Sequence, residues 1–540
     1  CGNAAACSSH EAASYRRQRR PTKRDRVVSA ALIRAAIEAA EEYEELDSKL
    51  SKLPRNDLGN AKRLIQRFGG QLIHVQNLGW HWWTGKYWSR EDGDREVQRC
   101  AHATARALRA ELRAIIDLGP SSPDRDGVEE LETAAQFGDR CEAFARWVRS
   151  SGDVQRLAGM IKTAIPDLHI ARHRLDADPF LFNLENGTLM LRDETAGGVE
   201  LKPHDPGDYI TRLAPVKYDR EAQCRKFLDY LAKFLPDAKP AAGEPAIQPF
   251  DQRRAFVQRA AGYSLTGDIG EQCAFLCYGE GANGKSTLML VFRGVMGGYA
   301  SGMPVETILE ASNNDAGKAR PDLAELPGTR CAITSEPPLG SRLNSNFIKG
   351  STGGEPIKAR GLHKDYFEFN PRFKMWISFN ELPPVRAQDH GMWRRLVLLE
   401  FGVTIPKDEQ IKHYERVLLE EASGILNWML DGFRVWRERG LCVPALMEAD
   451  ATEYRELFDP ISGFLKDCTE HKSGAKTPAS DMRASYVFYC RKTDAEPVHS
   501  NSFGRALKAR KVKRMRSNGV YYLDIAIKQE WVQQPRMETG

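Results

Sequence analysis

Residues Gly279-Glu280-Gly281-Ala282-Asn283-Gly284-Lys285-Ser286 follow the pattern G-x-x-x-x-G-K-S, which suits a loop that wraps phosphate groups. Gly281 and Gly284 supply the backbone freedom for that wrap, and Gly279, Ala282 and Asn283 complete the loop. Lys285 is expected to bring a point charge to the β- and γ-phosphates. Ser286 is expected to ligate Mg2+ through its hydroxyl. Thr287 either adds a phosphate contact or sits inside the following helix. The apolar run Cys273 to Tyr278 predicts a buried strand before the loop, and Thr287 to Val295 predicts a helix after it. A helix start offers unpaired N–H groups to phosphate oxygens. A bound nucleoside triphosphate, ATP with Mg2+, is the implied cofactor.

Hydrolysis also needs a carboxylate at a second strand end. Glu336 closes the segment Thr329 to Glu336 and is the candidate to polarise water and help hold the metal. Ser335 stands where a partner acid would, so Glu336 works by itself or with Asp322 or Glu325. A third predicted strand, Phe373 to Phe379, ends at Asn380, which can hold the attacking water and sense the γ-phosphate, or simply cap its loop. Arg394 and Arg395 precede the apolar strand Val397 to Leu399. An arginine reaching across a subunit boundary stabilises charge on a γ-phosphate through its fixed guanidinium fork. Two adjacent arginines point different ways on extended chain, so one serves as that finger and the other braces. The sequence does not say which.

Between the second and third strands, the latter part of the segment Ile348 to Phe369 predicts a basic hairpin with His363 and Lys364 near its tip. In a ring of subunits, such tips would line a central channel. There lysine meets backbone phosphates regardless of sequence, and histidine packs on sugar or base. Lys358 and Arg360 belong to the same hairpin and serve nucleic acid, nucleotide or a subunit contact. Near the C-terminus, the basic helix Ser500 to Arg510, the turn Lys511 to Gly519 and the strand Val520 to Ile525 suit a winged-helix module. Arg510 and Lys511 are its candidate contacts. Such a module places a basic helix against duplex DNA or docks on another protein.

These groups need a scaffold. The 540 residues suffice for two to four domains, with 41% apolar residues to fill their cores. No apolar run of eighteen residues occurs, so no membrane-spanning helix is expected. Eleven scattered cysteines fit a reducing compartment. Cys1, Cys7 and His10 lack an evident fourth metal ligand. The net charge is only +5, but basic residues cluster at 16–26 and 505–516, which suggests a polyanionic partner. Residues 1–27 are expected to be a disordered basic tail. Trp80, Trp82, Trp83, Tyr87 and Trp88 crowd around Thr84-Gly85-Lys86 and predict a hairpin. Its aromatics form a small core or stack on bases. Leu181 to Leu191 with Asn186-Gly187 predicts a second tight hairpin.

The combined motifs resemble superfamily 3 helicases. The P-loop, Glu336, Gly353-Gly354, Asn380 and the Arg394-Arg395 pair carry that resemblance. The chain is most similar to the phage and plasmid primase-helicases, related to the poxvirus D5-type primase-helicase. Asp57 to Ala61, Trp80 to Trp88, Phe182 to Leu189, Pro203-His204-Asp205-Pro206 and Asp208 to Thr211 extend it upstream, so it covers about residues 55–525. It implies an α/β fold: an AAA+-like P-loop ATPase core, a mainly helical α+β N-terminal domain and a winged-helix-like C-terminal domain. The implied domains are 28–215 (D5-N-like), 216–265 (helical collar), 266–437 (helicase) and 438–540 (winged-helix-like). It further implies a hexameric ring, an ATP hydrolase and DNA helicase, moving 3′ to 5′ on single-stranded DNA during replication. Lys285 and Ser286 then hold nucleotide, Glu336 is the second acidic motif and Asn380 the sensor. Arg394 or Arg395 is the finger, and Lys364 the hairpin lysine.

Full-length relatives often carry an upstream primase domain. No primase acid cluster is recognisable here, so helicase activity without primer synthesis is expected, with a primase or polymerase as partner. A phage, plasmid or mobile-element origin implies the cytoplasm of a bacterial host. Two other functions fit the residues: an ATPase that loads or remodels proteins at an origin without unwinding, and an inactive nucleotide-binding scaffold. Phosphate contacts do not separate a DNA track from an RNA one.

Overall fold

The structure is a computed structural model. It describes residues 44–122, 126, 128, 130–192, 198–236, 253–310, 321–338, 341–360, 366–383, 385, 390–457, 460–493 and 497–531. The basic tail, Cys1, Cys7 and His10, most of the proline-rich loop at 236–249, and His363 and Lys364 lie outside the described residues.

Two compact units divide the chain: Cys1–Trp82 with Ser89–Ile170, and Trp83–Trp88 with Ala171–Gly540. In the first unit, helices α1 (Asp57–Phe68), α2 (Gly93–Leu118) and α4 (Val154–Ala164) pack against a small sheet, and α3 (Ala134–Ser150) packs on α2. Strand β1 (Leu72–Val75) pairs antiparallel with β2 (Gly79–Trp83) and parallel with β3 (His169–Ile170). On α2, Val97, Cys100, Ala101, Thr104, Leu108, Glu111 and Ile115 are buried, the three-and-four spacing of a helix with one face inward. Glu111 is buried in an ion network with Arg63 (2.7 Å) and Arg67 (3.1 Å). Trp80 is likewise buried in the core with Leu64, Leu72, Val97 and Ala101, so this ring packs rather than presenting a face for stacking on bases.

The second unit begins with a hairpin, β4 (Leu181–Leu184) and β5 (Gly187–Met190), extended by β6 (Glu200–Lys202). Gly187 has φ 149°, the freedom the tight Asn186-Gly187 turn requires. Helices α5 (Arg225–Phe234) and α6 (Arg253–Ser264) follow. Next come the strands of a parallel sheet: β7 (Ala274–Tyr278), β8 (Ala300–Gly302), β9 (Cys331–Thr334), β12 (Lys374–Phe379) and β13 (Leu396–Glu400). They lie in the order β13-β7-β12-β9-β8, every pairing parallel. Counted along the chain, the order is 5-1-4-3-2. The inner strands β7 and β12 are buried along nearly their whole length, as parallel strands covered on both faces must be. Trp376 on β12 packs on Phe275 of β7 and on Phe292 of α7 (Lys285–Met296). Strands β10 (Ile357–Ala359) and β11 (Phe367–Phe369) form the expected antiparallel hairpin. Its tip is among the undescribed residues.

Helix α8 (Ser345–Gly353) precedes that hairpin, and α9 (Ala422–Arg439) extends the helical part beyond the sheet. The chain ends in α10 (Pro460–Cys468), α11 (Ala479–Lys492), α12 (Ser500–Ala509) and a sheet ordered β14-β16-β15. Here β14 is Thr469–Pro478, β15 Arg514–Ser517 and β16 Gly519–Ile527. Sequence patterning does not show β14. Its residues Thr-Glu-His-Lys-Ser-Gly-Ala-Lys-Thr-Pro are polar and mostly exposed, and β16 supplies its order by pairing.

Candidate active site

Strands β7, β12 and β9 are neighbours and run parallel. Their C-terminal ends therefore meet on one edge of the sheet, where ligands of such sheets bind. The G-x-x-x-x-G-K-S loop leaves β7, Asn380 leaves β12 and Glu336 leaves β9. Sequence spacing does not reveal that Asn380 lies between the other two. The sheet order does.

The loop turns on three positive φ angles, Gly279 at 142°, Ala282 at 61° and Gly284 at 87°. A side chain on Gly279 would meet the Phe401 carbonyl oxygen at 2.3 Å. A side chain on Gly281 would meet nothing within 4 Å, so the mouth of the loop is open. Asn283 is buried and donates through Nδ2 to the Phe401 carbonyl at 3.0 Å. The Ile405 N–H donates to the Ala282 carbonyl at 3.0 Å. Both bonds anchor the loop to the segment that follows β13.

Lys285 is 4% exposed. Its Nζ donates to the Gly279 carbonyl and, at 2.9 Å, to Asn283 Oδ1. Burial holds this ammonium below its ordinary pKa, and the Glu336 carboxylate opposes that shift. A buried cation whose named acceptors are neutral oxygens is poised for an anion. Ser286 is exposed and Thr287 half-buried at the start of α7.

Glu336 and Asn380 are both exposed and joined. Asn380 Nδ2 donates to Glu336 Oε2 at 2.8 Å, and the Asn380 backbone N–H to Oε1 at 3.2 Å. Asp322 accepts a hydrogen bond from Thr307 at 2.6 Å, while Glu325 is exposed.

The adjacent arginines part company. Arg395 is buried, donating through Nε to Thr352 Oγ1 (3.1 Å) and through Nη1 to the Gly391 carbonyl (2.6 Å). Arg394 is exposed. Both precede β13, whose Leu396 registers with Ala274 at the start of β7. They lie at the sheet edge opposite the phosphate loop, roughly 17 Å away at about 3.3 Å per residue.

On the hairpin, exposed Lys358 pairs with Glu368 at 3.4 Å, and the Arg360 guanidinium lies 4.8 Å from the Tyr366 ring centre. At the C-terminus, Arg510 turns inward to Ser462 Oγ (3.1 Å) and the Ala506 carbonyl (3.1 Å). Lys511 is exposed, at φ 60°. Arg505 and Lys508 are the exposed basic residues of α12, and Arg514 and Arg516 those of β15. The sequence reading also missed Tyr230, whose hydroxyl reaches the Gly284 carbonyl at 2.7 Å. Its only signal was a place on the aromatic face Phe227, Tyr230, Phe234 of α5.

Residues 61–236 match the family model described as D5 N terminal like. Among curated proteins, the chain is 28% identical over 325 residues to "Putative helicase L207/L206" of Acanthamoeba polyphaga mimivirus, covering 57% of this chain and 32% of that protein. It is 30% identical over 184 residues to "Putative helicase 022R" of Frog virus 3, covering 32% and 19%. The chain thus spans about a third or less of the length of these relatives. A solved NrS-1 C-terminal region aligns over 58% of this chain and 77% of that one, at 12% identity and a TM-score of 0.34. That agreement is too slight to carry a fold argument. Further relatives come from invertebrate iridescent viruses and African swine fever virus. These are viruses of eukaryotic cells, which overturns the expected bacterial-host cytoplasm. The motifs behind that expectation answer to phosphate chemistry, which is the same in every host.

Proposed function

We propose that the chain is a superfamily 3 helicase of the D5 type, in line with its D5 N terminal like segment and its similarity to viral proteins named as helicases, and that its second unit is an ATP-driven motor that moves along single-stranded DNA. The observation that carries this reading is the meeting of Lys285, Glu336 and Asn380 at one edge of the parallel sheet. The 5-1-4-3-2 strand order is consistent with an AAA+-like core.

The residues fit Mg2+–ATP. Lys285 is a buried ammonium among neutral acceptors, and Gly281 leaves the loop mouth open. Ser286 and Glu336 would hold the metal. Bound Mg2+–ATP supplies the phosphoryl group to be transferred and the divalent charge that neutralises it. The chain's own residues do the rest. Lys285 turns its N–H donors from Asn283 and Gly279 toward phosphate oxygens. Asn380 holds Glu336 by a hydrogen bond, so that carboxylate faces the loop and orients an attacking water.

Arg394 stands too far from its own loop to act there. We therefore assign it as the finger for a neighbouring chain's nucleotide, with Arg395 bracing β13 against α8. That assignment requires an adjacent chain; the family resemblance implies a closed hexameric ring and 3′ to 5′ movement. We assign the β10–β11 hairpin, through Lys358 and Arg360, to the strand in the channel, and by family resemblance His363 and Lys364, which lie outside the described residues, to the same contact. The exposed Arg505, Lys508, Lys511, Arg514 and Arg516 offer a separate basic surface for duplex DNA.

The test is ATP-dependent unwinding of a forked DNA by the wild-type chain and by Lys285→Ala. Unwinding by the wild type, lost in the variant, is expected. DNA-stimulated hydrolysis without unwinding would favour a loader or remodeller. Absence of hydrolysis by the assembled protein would sink the motor.

A further inference from the structure

We propose that Tyr230 is a positioning residue for the nucleotide, orienting the Gly284–Lys285 peptide of the phosphate loop through its hydroxyl. This inference rests on the ATP reading of that loop.

Tyr230 is 1% exposed and lies on the inward face of α5 with Phe227 and Phe234. Its ring packs 4.9 Å from Phe234 and 6.0 Å from Tyr414, centre to centre. The hydroxyl donates to the Gly284 carbonyl oxygen at 2.7 Å. Burial keeps this phenol protonated and able to donate. The same oxygen accepts the Leu288 N–H at 3.0 Å, the first hydrogen bond of α7. The carbonyl is therefore held from two sides.

A planar trans peptide carries its C=O and N–H in opposite directions. Fixing the Gly284 oxygen toward Tyr230 and α7 thus aims the Lys285 N–H the other way, into the loop that receives phosphate. Phe234, one turn further on, closes the remaining freedom. A side chain on Gly284 would lie 2.7 Å from its ring. Gly284 also sits at φ 87°, a conformation that glycine adopts readily and that an unfixed glycine leaves as readily. A buried tyrosine needs some acceptor. A phenylalanine would fill the same volume, so the hydroxyl's contribution is separable from packing.

The experiment measures steady-state Mg-ATP hydrolysis and thermal melting of the full chain and two variants. Tyr230→Phe keeps the ring and removes the hydroxyl. Its KM for ATP is expected to rise about fivefold, the worth of one hydrogen bond, with kcat within about twofold. Phe227→Leu is the packing control. Phe227 stacks on Tyr230 and meets Trp428 edge to face, so its loss is expected to lower the melting temperature and leave KM unchanged. An unchanged KM in Tyr230→Phe, while Lys285→Ala abolishes hydrolysis, overturns the proposal by itself. So does an equal rise in KM in Phe227→Leu, which would mark a general core effect. A wild-type chain that neither binds nor hydrolyses ATP overturns this proposal and the motor reading together.

Discussion

Two buried lysines at opposite ends of the same sheet show how far environment outweighs residue type. Lys285 sits at the C-terminal edge, next to an open loop. Lys374 begins β12 at the other edge and is 1% exposed. Its Nζ donates to the carbonyls of Thr266, Asp268 (3.1 Å) and Arg372 (3.5 Å). Burial, with the neighbouring Arg330 charge, lowers its pKa from 10.5 to about 7. In the unfolded chain this lysine stays protonated up to about pH 10.4. Between those values the unfolded state binds more protons, so stability rises with pH. The unfolding free energy of wild type relative to Lys374→Met should therefore increase from pH 7 to 9, by at most about 1.4 kcal/mol per pH unit. Chemical denaturation at several pH values checks this, and a flat difference would refute it. Nothing in Phe373-Lys374-Met375 reveals that this lysine is enclosed, because two of its three acceptors, the carbonyls of Thr266 and Asp268, lie about a hundred positions earlier.

Among the elements, strand, glycine loop and helix around 274–296 were legible. Apolar runs and glycine spacing report local geometry directly. The crossing of α6 and α9 was not. There the backbones touch: a side chain on Gly262 would lie 2.0 Å from the Phe433 nitrogen, and one on Gly432 1.9 Å from the Gln258 carbonyl oxygen. Gly262→Ala should destabilise the second unit by about 3 kcal/mol, at the severe end of overpacking, although alanine is the better helix former. Urea unfolding measures it, and a stabilised variant would mean that the helices separate easily. Glycines inside a helical pattern carry no sign of what approaches them. The polar strand β14 was illegible for a related reason: its pairing with β16, not its own residues, makes it a strand.

At the scale of the molecule, sheet order sets which residues can act together. It gathers the loop, Asn380 and Glu336 on one edge and sends Arg394 to the other. If Arg394 serves a neighbour, chains with Lys285→Ala and chains with Arg394→Ala should each be inactive. Mixed together, they should hydrolyse ATP faster than either preparation by itself, because some interfaces then pair an intact loop with an intact arginine. Titrating one variant into the other at fixed total protein checks this. No gain at any ratio would exclude the finger in trans.

The phosphate-loop pattern, the acid and amide at the strand ends, and the resemblance to D5-type helicases were legible in the residues, because phosphate and metal demand particular atoms at close spacing. Three matters needed the fold. One was which arginine of the pair is free: Thr352 and Gly391 claim Arg395. Another was which polar residue of the C-terminal helix faces inward: Ser462 claims Arg510. The third was the tyrosine that holds the loop from 54 residues away in sequence. Each depends on partners distant along the chain, and only packing brings such partners within hydrogen-bonding reach.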